Sequence, residues 1–380
     1  AMEEAARCLL CEDAPCSAGC PAATDPGKFI RSLRFKNIRG AAETIRENNP
    51  LGACCAWVCP YDRMCEKECS RSGIDRPIQI GRLQRFLMEE ENMAFLPVVP
   101  ATGKKVACIG AGPASLACAR DLALAGVQVT VYESREKAGG VLSFGITPTR
   151  LPQEVVDQDV AQIERLGVKF VFGKKVDKAG LEKLQKENDA VFVGVGLWGS
   201  KTPGIKGEEL KGVESALDFL EQARTSGGQV GISPEDTVLI IGGGNVAMDC
   251  VATAKQLGTR AMIVYRRTIE EAPADIEEIR FVQNMGVPIF TEFAPEEILG
   301  KDGKVAGLKC KSRDGYSEMT LKADRIIFAI GQTQVAEYQD LKTAPGLFVG
   351  GDASHPAGIT VVESVAEGKA AALDIVKFLG

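Results

Sequence analysis

The sequence predicts an α-helical N-terminal domain followed by an α/β region of two similar units, the second inserted into the first. Three observations support this fold class. Nine of the 13 cysteines lie within the first 69 residues, and only four lie in the remaining 311. Two apolar strand patterns each lead into a glycine-rich turn and an alanine-rich helix. A third apolar strand, a Gly-Gly-Asp turn and a long helix near the end of the chain return it to the first unit.

Shifts in sequence character set the domain boundaries. The cysteine-rich segment has helical stretches, and Asp25 and Pro26 are suited to the start of one of them. A proline-flanked run at 96–100 ends this segment, and strands alternating with helices begin after it. The predicted domains are 1–98, which is helical, 99–205 together with 333–380, and the inserted 206–332.

The amino-acid composition argues against several classes of function. Forty-five Lys and Arg against 51 Asp and Glu give a net charge of -6, which argues against nucleic-acid binding. Hydrophobic residues make up 45%, and no apolar run approaches the ~20 residues of a membrane span. The N-terminus has no apolar signal core, so we expect a cytoplasmic protein. In that reducing compartment, dense cysteines indicate metal or cluster ligands more strongly than the alternative, disulfides.

The first glycine-rich turn has the features of a dinucleotide site. Its glycines permit a tight bend and close approach to a pyrophosphate, which the following helix N-terminus meets. Glu133 closes the next strand 21 residues after the second glycine, where an acid can bind a ribose hydroxyl. The alternative is a structural turn without ligand. The predicted FAD contacts in this unit are Gly110, Gly112, Pro113, Ala114, Ser115 and Glu133.

The second turn has the same context but a different strand end. There the acid is replaced by Arg266-Arg267, whose guanidinium groups can bind the 2'-phosphate of NADPH. The alternative is a solvated surface charge. The predicted NADPH contacts from this motif are Gly242, Gly243, Gly244, Asn245, Val246, Arg266 and Arg267.

Two such sites predict hydride transfer from NADPH to FAD, which requires positioning but no side-chain acid or nucleophile. Asp352 lies at a strand end suited to the flavin's ribityl or phosphate region, and Thr360 starts a helix whose positive end can face the isoalloxazine. For the lone His355, a structural role is favoured over a catalytic one. A dithiol reductase is rejected, since Cys108, Cys118, Cys250 and Cys310 contain no close pair.

The cysteine spacings are typical of iron-sulfur proteins. Three closely spaced cysteines are followed by a Cys-Pro at Cys20, and a second Cys-Pro begins at Cys59. Two 4Fe-4S clusters need eight ligands, and spacing alone nominates Cys54 or Cys55 as the eighth. Paired all-cysteine zinc sites are the structural alternative. Because zinc carries no electrons, a flavin that must release single electrons favours clusters.

These residues resemble a known family. The resemblance covers essentially the whole chain and links it to the NAD(P)H-accepting portion of dihydropyrimidine dehydrogenase, which in bacteria is a separate flavin and iron-sulfur subunit. The glutamate synthase small chain and the related subunit of ferredoxin:NADP oxidoreductases share this layout. The segments that carry the resemblance are 8–21, 40–52, 77–86 and 110–115.

The resemblance implies further site residues. One cluster would take Cys8, Cys11, Cys16 and Cys69, and the other Cys20, Cys59, Cys65 and Gln84. Additional FAD contacts would be Gly140, Arg150 and Gly351, beside Asp352 and Thr360, and additional nucleotide contacts would be Ala329 and Gly331. In this pattern Cys54 and Cys55 are not ligands.

The predicted function is therefore electron input. NADPH reduces FAD, and two 4Fe-4S clusters pass electrons to a catalytic partner subunit. The preferred partner is an FMN-containing subunit of dihydropyrimidine dehydrogenase type. The alternatives are the NADPH-dependent glutamate synthase small subunit, with the glutamate synthase large chain as partner, and a ferredoxin:NADP oxidoreductase subunit. A non-catalytic regulator that binds NADP(H) and zinc is the alternative from another class.

Overall fold

The structure, a computed structural model, describes the whole chain except residues 91–95, which belong to the predicted helical domain. The described residues form two compact units, each assembled from segments that are separate in the sequence. No helix within these residues has both the length and the apolar character of a membrane span. The first unit comprises 1–143, 149–197 and 334–380, and the second comprises 144–148 and 198–333.

Helices form the N-terminal part of the first unit: α1 (Met2–Ala6), α2 (Pro15–Ala18), α3 (Pro26–Arg34), α4 (Ile38–Asn48), α5 (Gly52–Val58) and α6 (Ile80–Glu90). The Asp25 side chain caps α3 by accepting a hydrogen bond from the Lys28 N–H at 3.1 Å, and Pro26 occupies its first turn. The predicted helix start is confirmed. Phe29 and Leu33 of α3 are fully buried in the core of this helical part.

A parallel five-stranded sheet forms the rest of the first unit: β1 (Lys105–Ile109), β2 (Gln128–Tyr132), β3 (Lys169–Val171), β4 (Ala190–Val193) and β15 (Leu347–Val349). Its order is β15-β4-β1-β2-β3, so the last strand returns to pair with β4. The accompanying helices are α7 (Pro113–Leu124), α8 (Val141–Phe144), α9 (Gln153–Arg165), α10 (Lys178–Glu187) and α14 (Val361–Leu379). Gly368 permits close packing of α14 on α7, because a Cβ there would lie 2.1 Å from the Ala114 carbonyl oxygen.

A second parallel sheet has the order β6-β13-β7-β8-β9. Its strands are β6 (Val213–Ser215), β7 (Thr237–Ile241), β8 (Arg260–Tyr265), β9 (Ile289–Thr291) and β13 (Arg325–Phe328). Its helices are α11 (Ala216–Thr225), α12 (Asn245–Gln256) and α13 (Ile276–Asn284). A short antiparallel pair, β5 (Gly199–Ser200) with β14 (Gln332–Thr333), joins the two ends of this unit.

An antiparallel three-stranded sheet also lies in the second unit and is absent from the sequence prediction. It consists of β10 (Phe293–Lys301), β11 (Lys304–Ser312) and β12 (Glu318–Lys322). Ile298 and Leu308 pack with Leu239 and Val264 of the parallel sheet. The predicted fold class is nevertheless confirmed: a helical N-terminal part precedes two parallel dinucleotide-binding sheets, and the second interrupts the first.

Candidate iron-sulfur and dinucleotide sites

Three cysteines that are close in sequence and one that is distant line a single cavity of the first unit: Cys8, Cys11, Cys16 and Cys69. Burial, together with the neighbouring thiols, raises the pKa of Cys16 to about 11. Such mutual repulsion disfavours thiolates unless a cation is bound, and iron coordination supplies that positive charge. The donor set fits a cluster, and its members are those of the first ligand set implied by the resemblance.

The loop that carries Cys8 and Cys11 is held from α3. The Arg34 guanidinium donates a hydrogen bond to the Cys8 carbonyl oxygen at 2.7 Å, and Arg31 donates to the Cys11 carbonyl at 3.2 Å. The helix thus fixes the backbone on which two of the thiols are mounted.

A second group contains Cys20, Cys59 and Cys65. A hydrogen bond with Cys55 raises the pKa of Cys59, and burial and the thiols of Cys20 and Cys65 act in the same direction. Burial, and then Cys20, also raises the pKa of Cys65. The structure therefore brings together the three cysteines of the second implied ligand set. Within residues 1–90 and 96–380, no group of His, Cys, Asp and Glu side chains is arranged to hold a single metal ion.

Two side chains are candidates for the fourth position of the second group. Gln84 is 7% exposed on α6, and its Nε2 donates a hydrogen bond to the Gly52 carbonyl oxygen at 2.7 Å. This bond leaves the Gln84 Oε1 as a possible oxygen ligand. Cys55 is 2% exposed and hydrogen-bonds with Cys59. Cys54 differs, because its Sγ lies 3.9 Å from the Val155 carbonyl oxygen of α9.

The turn between β1 and α7 has the backbone geometry of a phosphate cradle. Gly110 has φ +87°, and a Cβ there would lie 2.7 Å from the Gly194 carbonyl oxygen. Gly112 is the N-cap of α7 and provides no side-chain cap, while Pro113 occupies the first turn. The N–H groups at the start of α7, including that of Ala114, are thus available to an anion.

Ser115, in place of the third glycine of the motif, is fully buried against Gly194, where a Cβ would lie 2.4 Å from the Ser115 Oγ. This contact joins α7 closely to the end of β4. Gly140 lies on the other side of the turn: it has φ +56°, and a Cβ there would lie 2.9 Å from the Gly112 Cα. Glycines therefore allow the backbone segments around the cradle to approach one another closely.

Glu133 lies at the end of β2 and is 5% exposed. Its Oε2 accepts a hydrogen bond from the Ala111 N–H at 2.8 Å, and its Oε1 accepts from the Arg135 N–H at 2.9 Å and the Ser134 hydroxyl at 3.0 Å. The carboxylate is thereby fixed beside the glycine-rich turn. Oε1 already accepts two hydrogen bonds, whereas Oε2 accepts one and retains the acceptor capacity that a ribose hydroxyl can use.

The C-terminal part of this unit places the other candidate FAD residues. The Asp352 Oδ1 accepts a hydrogen bond from the Ile359 N–H at 2.9 Å, and burial raises the pKa of Asp352. Gly351, with φ +68°, packs against Ala114. Thr360 is the N-cap of α14 in a capping box with Glu363, so part of this helix N-terminus is already satisfied.

Two further predicted residues lie in the first unit. Arg150 is half-buried in the segment that precedes α9. The His355 Nε2 contacts the Glu367 carboxylate, whose other oxygen accepts a hydrogen bond from the Gly351 N–H at 2.8 Å. His355 thus participates in fixing the Gly-Gly-Asp turn, as expected for a structural histidine.

The second glycine-rich turn is equally constrained. Gly242 has φ +147°, and a Cβ there would lie 2.3 Å from the Ala329 carbonyl oxygen. A Cβ on Gly243 would lie 2.5 Å from the Tyr265 ring. Gly244 is the N-cap of α12 without a side-chain cap. The start of α12, with Val246 in its first turn, is open to an anion.

The edges of the second turn carry the other predicted nucleotide residues. Asn245 and Asp275 form two hydrogen bonds of 2.8 Å. The Asn245 Nδ2 donates to the Asp275 Oδ2, and the Asn245 Oδ1 accepts from the Asp275 N–H. Gly331 has φ +116° and accepts a hydrogen bond from the Lys201 N–H at 3.0 Å. Arg266 and Arg267 follow β8 and are exposed, and neither guanidinium pairs with another described residue.

The expectation that the remaining cysteines contain no close pair is wrong for the folded structure. Cys108 of β1 and Cys118 of α7 are ten residues apart and interact in the core. Both are fully buried, and burial raises the pKa of Cys118. Dithiol chemistry needs an accessible thiolate. The rejection of a dithiol reductase therefore rests on burial and not on the lack of a close pair.

Comparison with known proteins gives two family matches. Residues 1–94 match the family described as dihydropyrimidine dehydrogenase domain II, 4Fe-4S cluster. Residues 104–364 match the pyridine nucleotide-disulphide oxidoreductase family. Together the two matches include both cysteine groups and both glycine-rich turns.

Two relatives span most or all of the chain. The NAD-dependent dihydropyrimidine dehydrogenase subunit PreT of Escherichia coli K12 is 43% identical over 398 aligned positions, which cover 100% of this chain and 94% of PreT. The NADPH-Fe(3+) oxidoreductase subunit beta of Geobacter sulfurreducens is 34% identical and covers 84% of this chain, but this chain spans only 51% of that protein. Among solved structures, Mycobacterium tuberculosis FprA in complex with NADPH has a TM-score of 0.64 at 18% identity, covering 74% of this chain and 85% of FprA.

Proposed function

Because this chain belongs to the family of the dihydropyrimidine dehydrogenase subunit PreT, we propose that it takes reducing equivalents from NADPH and delivers them as single electrons to a catalytic partner subunit. The family assignment confirms the predicted class, an NAD(P)H-dependent flavin and iron-sulfur oxidoreductase. The observation that carries the proposal is the grouping of seven cysteines into two sets within the unit that also contains the Glu133 turn.

The proposed cofactors follow from the residues that would hold them. Two 4Fe-4S clusters are assigned to the two cysteine groups, with Gln84 completing the second. The open N-terminus of α7 and the Glu133 carboxylate would hold FAD, with Asp352 and Thr360 on its other side. When bound, FAD accepts a hydride and the clusters release electrons one at a time. The reaction depends on these residues for orientation alone.

We expect Glu133→Gln to weaken FAD binding about tenfold or more. A hydrogen bond to a charged group contributes ~1.5–3 kcal/mol, and ~1.4 kcal/mol is a factor of ten in affinity. FAD is titrated into the flavin-free chain while flavin fluorescence is recorded. Glu136→Gln, an exposed glutamate three residues on, is the matched control. Equal FAD affinity in the Glu133 and Glu136 variants would remove Glu133 from the site.

We propose NADPH as the nucleotide, held at the N-terminus of α12 and by Arg266 and Arg267. The names of the relatives do not decide this, since PreT is called NAD-dependent and the Geobacter protein is named for NADPH. The exposed, unpaired guanidinium groups at the end of β8 support it, because a 2'-phosphate there replaces only water.

The double variant Arg266→Ala/Arg267→Ala is expected to lower kcat/KM for NADPH by roughly ten- to a hundredfold and to leave that for NADH within about twofold. Steady-state reduction of an artificial acceptor with each nucleotide measures both values. Arg260→Ala, at the opposite end of β8, is the control for loss of an exposed positive charge. A wild-type chain that prefers NADH would contradict the proposed nucleotide.

The identity of the partner subunit is tested by asking which substrate supports NADPH oxidation. The name of the E. coli relative supports a partner of dihydropyrimidine dehydrogenase type, and we propose that both subunits work in the cytoplasm. Anaerobically prepared chain is mixed with an FMN-containing subunit of this type, and NADPH oxidation is followed with uracil. A parallel reaction uses a glutamate synthase large chain with glutamine and 2-oxoglutarate. Oxidation that requires uracil and the first partner supports the proposal, and oxidation only in the second reaction would replace it.

A further inference from the structure

A buried chain of hydrogen bonds ends at the sulfur of Cys20. The Asn49 Oδ1 accepts a hydrogen bond from the Leu51 N–H at 2.9 Å, and the Asn49 Nδ2 donates to the Thr24 Oγ1 at 3.1 Å. The Thr24 Oγ1 lies 3.3 Å from the Cys20 Sγ, and the Thr24 N–H donates to the same sulfur at 3.4 Å. Thr24 is 1% exposed and Asn49 is fully buried.

The direction of these bonds is fixed from one end. Because the Leu51 N–H can only donate, the carbonyl oxygen of Asn49 faces it and the amide nitrogen faces Thr24. The Thr24 oxygen is thus an acceptor toward Asn49, which leaves its hydrogen for Cys20. A cysteine thiolate that binds iron can only accept. The Cys20 thiolate would then accept two hydrogen bonds, one from the Thr24 hydroxyl and one from the Thr24 N–H.

A positive charge reaches the same loop from α14. The Lys369 Nζ donates hydrogen bonds to the Ala22 carbonyl oxygen at 2.6 Å and to the Asn48 carbonyl oxygen at 2.5 Å. Ala22 lies between Cys20 and Thr24 in the sequence, and Asn48 directly precedes Asn49. The ammonium group interacts electrostatically with the Cys20 thiol. Lys369 is half-buried, so its field is less screened than that of a surface lysine.

Arginines also lie near the first cysteine group, so the two groups differ in their hydrogen bonds to sulfur and not in the presence of positive charge. The Cys69 Sγ accepts a hydrogen bond from the Ile78 N–H at 3.5 Å, and the Cys11 Sγ lies 3.6 Å from the Ser70 hydroxyl at an exposed position. Hydrogen bonds act more strongly in a buried, low-dielectric site. The hydrogen bonds to the Cys20 sulfur are therefore expected to be stronger than those to Cys69 and Cys11.

We propose that Thr24 and Lys369 raise the reduction potential of the cluster bound through Cys20, an inference that rests on the proposed function. Uptake of one electron adds one negative charge to the cluster and its thiolates. Hydrogen bonds and a nearby ammonium stabilise the reduced form more than the oxidised form, and hydrogen bonds to sulfur are an established determinant of cluster potentials. Thr24 and Lys369 thereby make the Cys20 cluster a better electron acceptor than it would be without them.

The test is a redox titration of the intact chain with dithionite, monitored by EPR. Thr24→Val removes the hydroxyl and keeps the shape, and should lower the equilibrium constant for one-electron reduction of the Cys20 cluster about tenfold, or ~59 mV. Thr24→Ser should restore the wild-type midpoint. Thr44→Val is the matched control, since Thr44 is also buried and its hydroxyl donates to the Gly40 carbonyl oxygen. Neither Thr24→Ser nor Thr44→Val should move either midpoint by more than a small part of this shift.

A second variant acts from the other side of the loop. Lys369→Met keeps the apolar stem and removes the charge, and should lower the same midpoint while the midpoint of the Cys8 cluster stays constant. Unchanged midpoints in Thr24→Val and Lys369→Met with full iron content would overturn this inference and leave the proposed function intact. If Thr24→Val does not retain iron, the Lys369→Met midpoint decides alone. Wild-type protein without a cluster at Cys20 would overturn both proposals.

Discussion

The Cys59→Ser variant is expected to lose about half of the iron of the chain, keep its FAD, and lose electron delivery to the partner. Cys59 follows α5 and lies in the second cysteine group with Cys20 and Cys65. Without this thiolate the second cluster has at most three ligands. Reduction of an artificial two-electron acceptor by NADPH should remain near the wild-type rate, because the flavin and nucleotide sites are untouched.

Iron, acid-labile sulfide and FAD are measured on the purified anaerobic variant, and partner-dependent NADPH oxidation is compared with reduction of the artificial acceptor. Cys250→Ser is the control, because Cys250 is buried in the second unit far from both groups in sequence. Wild-type iron content in Cys59→Ser would exclude Cys59 as a ligand.

The same assay decides between Cys55 and Gln84. We expect Cys55→Ser to leave both clusters intact and Gln84→Ala to alter the EPR signal of the second one. Cys55 is the competitor to consider among the described residues, because its interaction with Cys59 is the largest cause of the raised Cys59 pKa. Loss of about half the iron in Cys55→Ser, with Gln84→Ala unchanged, would assign the fourth position to Cys55.

The second large effect is expected for Asp159→Ala, which should lower the free energy of unfolding by about 3–5 kcal/mol. Asp159 is fully buried and forms an ion pair with Arg46, which is 4% exposed. It also accepts hydrogen bonds from the Cys54 N–H at 2.9 Å and the Ala53 N–H at 3.4 Å. Asp159 of α9 thus caps α5, whose own N-cap residue Leu51 has no side-chain cap.

Urea unfolding followed by circular dichroism measures the decrease in the free energy of unfolding. The iron content shows whether the loss of the α5 cap also weakens cluster binding through Cys59. Glu43→Gln breaks the exposed pair with Arg39 and should cost less than about 1 kcal/mol. The double variant Arg46→Ala/Asp159→Ala should be less destabilised than the sum of the single variants, because removal of one partner leaves the other charge buried and unpaired. A loss in Asp159→Ala as small as that in Glu43→Gln would contradict the buried ion pair.

Much of the fold was predictable because short sequence patterns determine it. The strand, glycine turn and helix at Gly110 and at Gly242 each need backbone that only glycine adopts easily, and the structure shows positive φ at both positions. The cysteine positions indicated clusters because thiolate ligation requires a fixed set of spacings. The antiparallel sheet β10–β12 was missed, although Asp302-Gly303 between its first two strands is a hairpin turn signal.

Long-range partners could not be predicted in the same way. Asp159 lies 105 residues from Cys54, whose N–H donates a hydrogen bond to it. Lys369 lies 347 residues from Ala22, whose carbonyl oxygen it binds. A single sequence contains no periodicity that links such pairs. Thr24 and Asn49 likewise carry no motif, and their relation to Cys20 emerges only when α3, α4 and α5 are packed.

The most direct test of the electron-input proposal is anaerobic addition of NADPH to the wild-type chain, with flavin absorbance and EPR recorded on the same sample. We expect about eight iron atoms and one FAD per chain, bleaching of the flavin absorbance by NADPH, and the EPR signal of a reduced 4Fe-4S cluster that is absent before the addition. Zinc in place of iron, or flavin absorbance that NADPH leaves unchanged, would contradict the account and favour a regulatory nucleotide-binding protein.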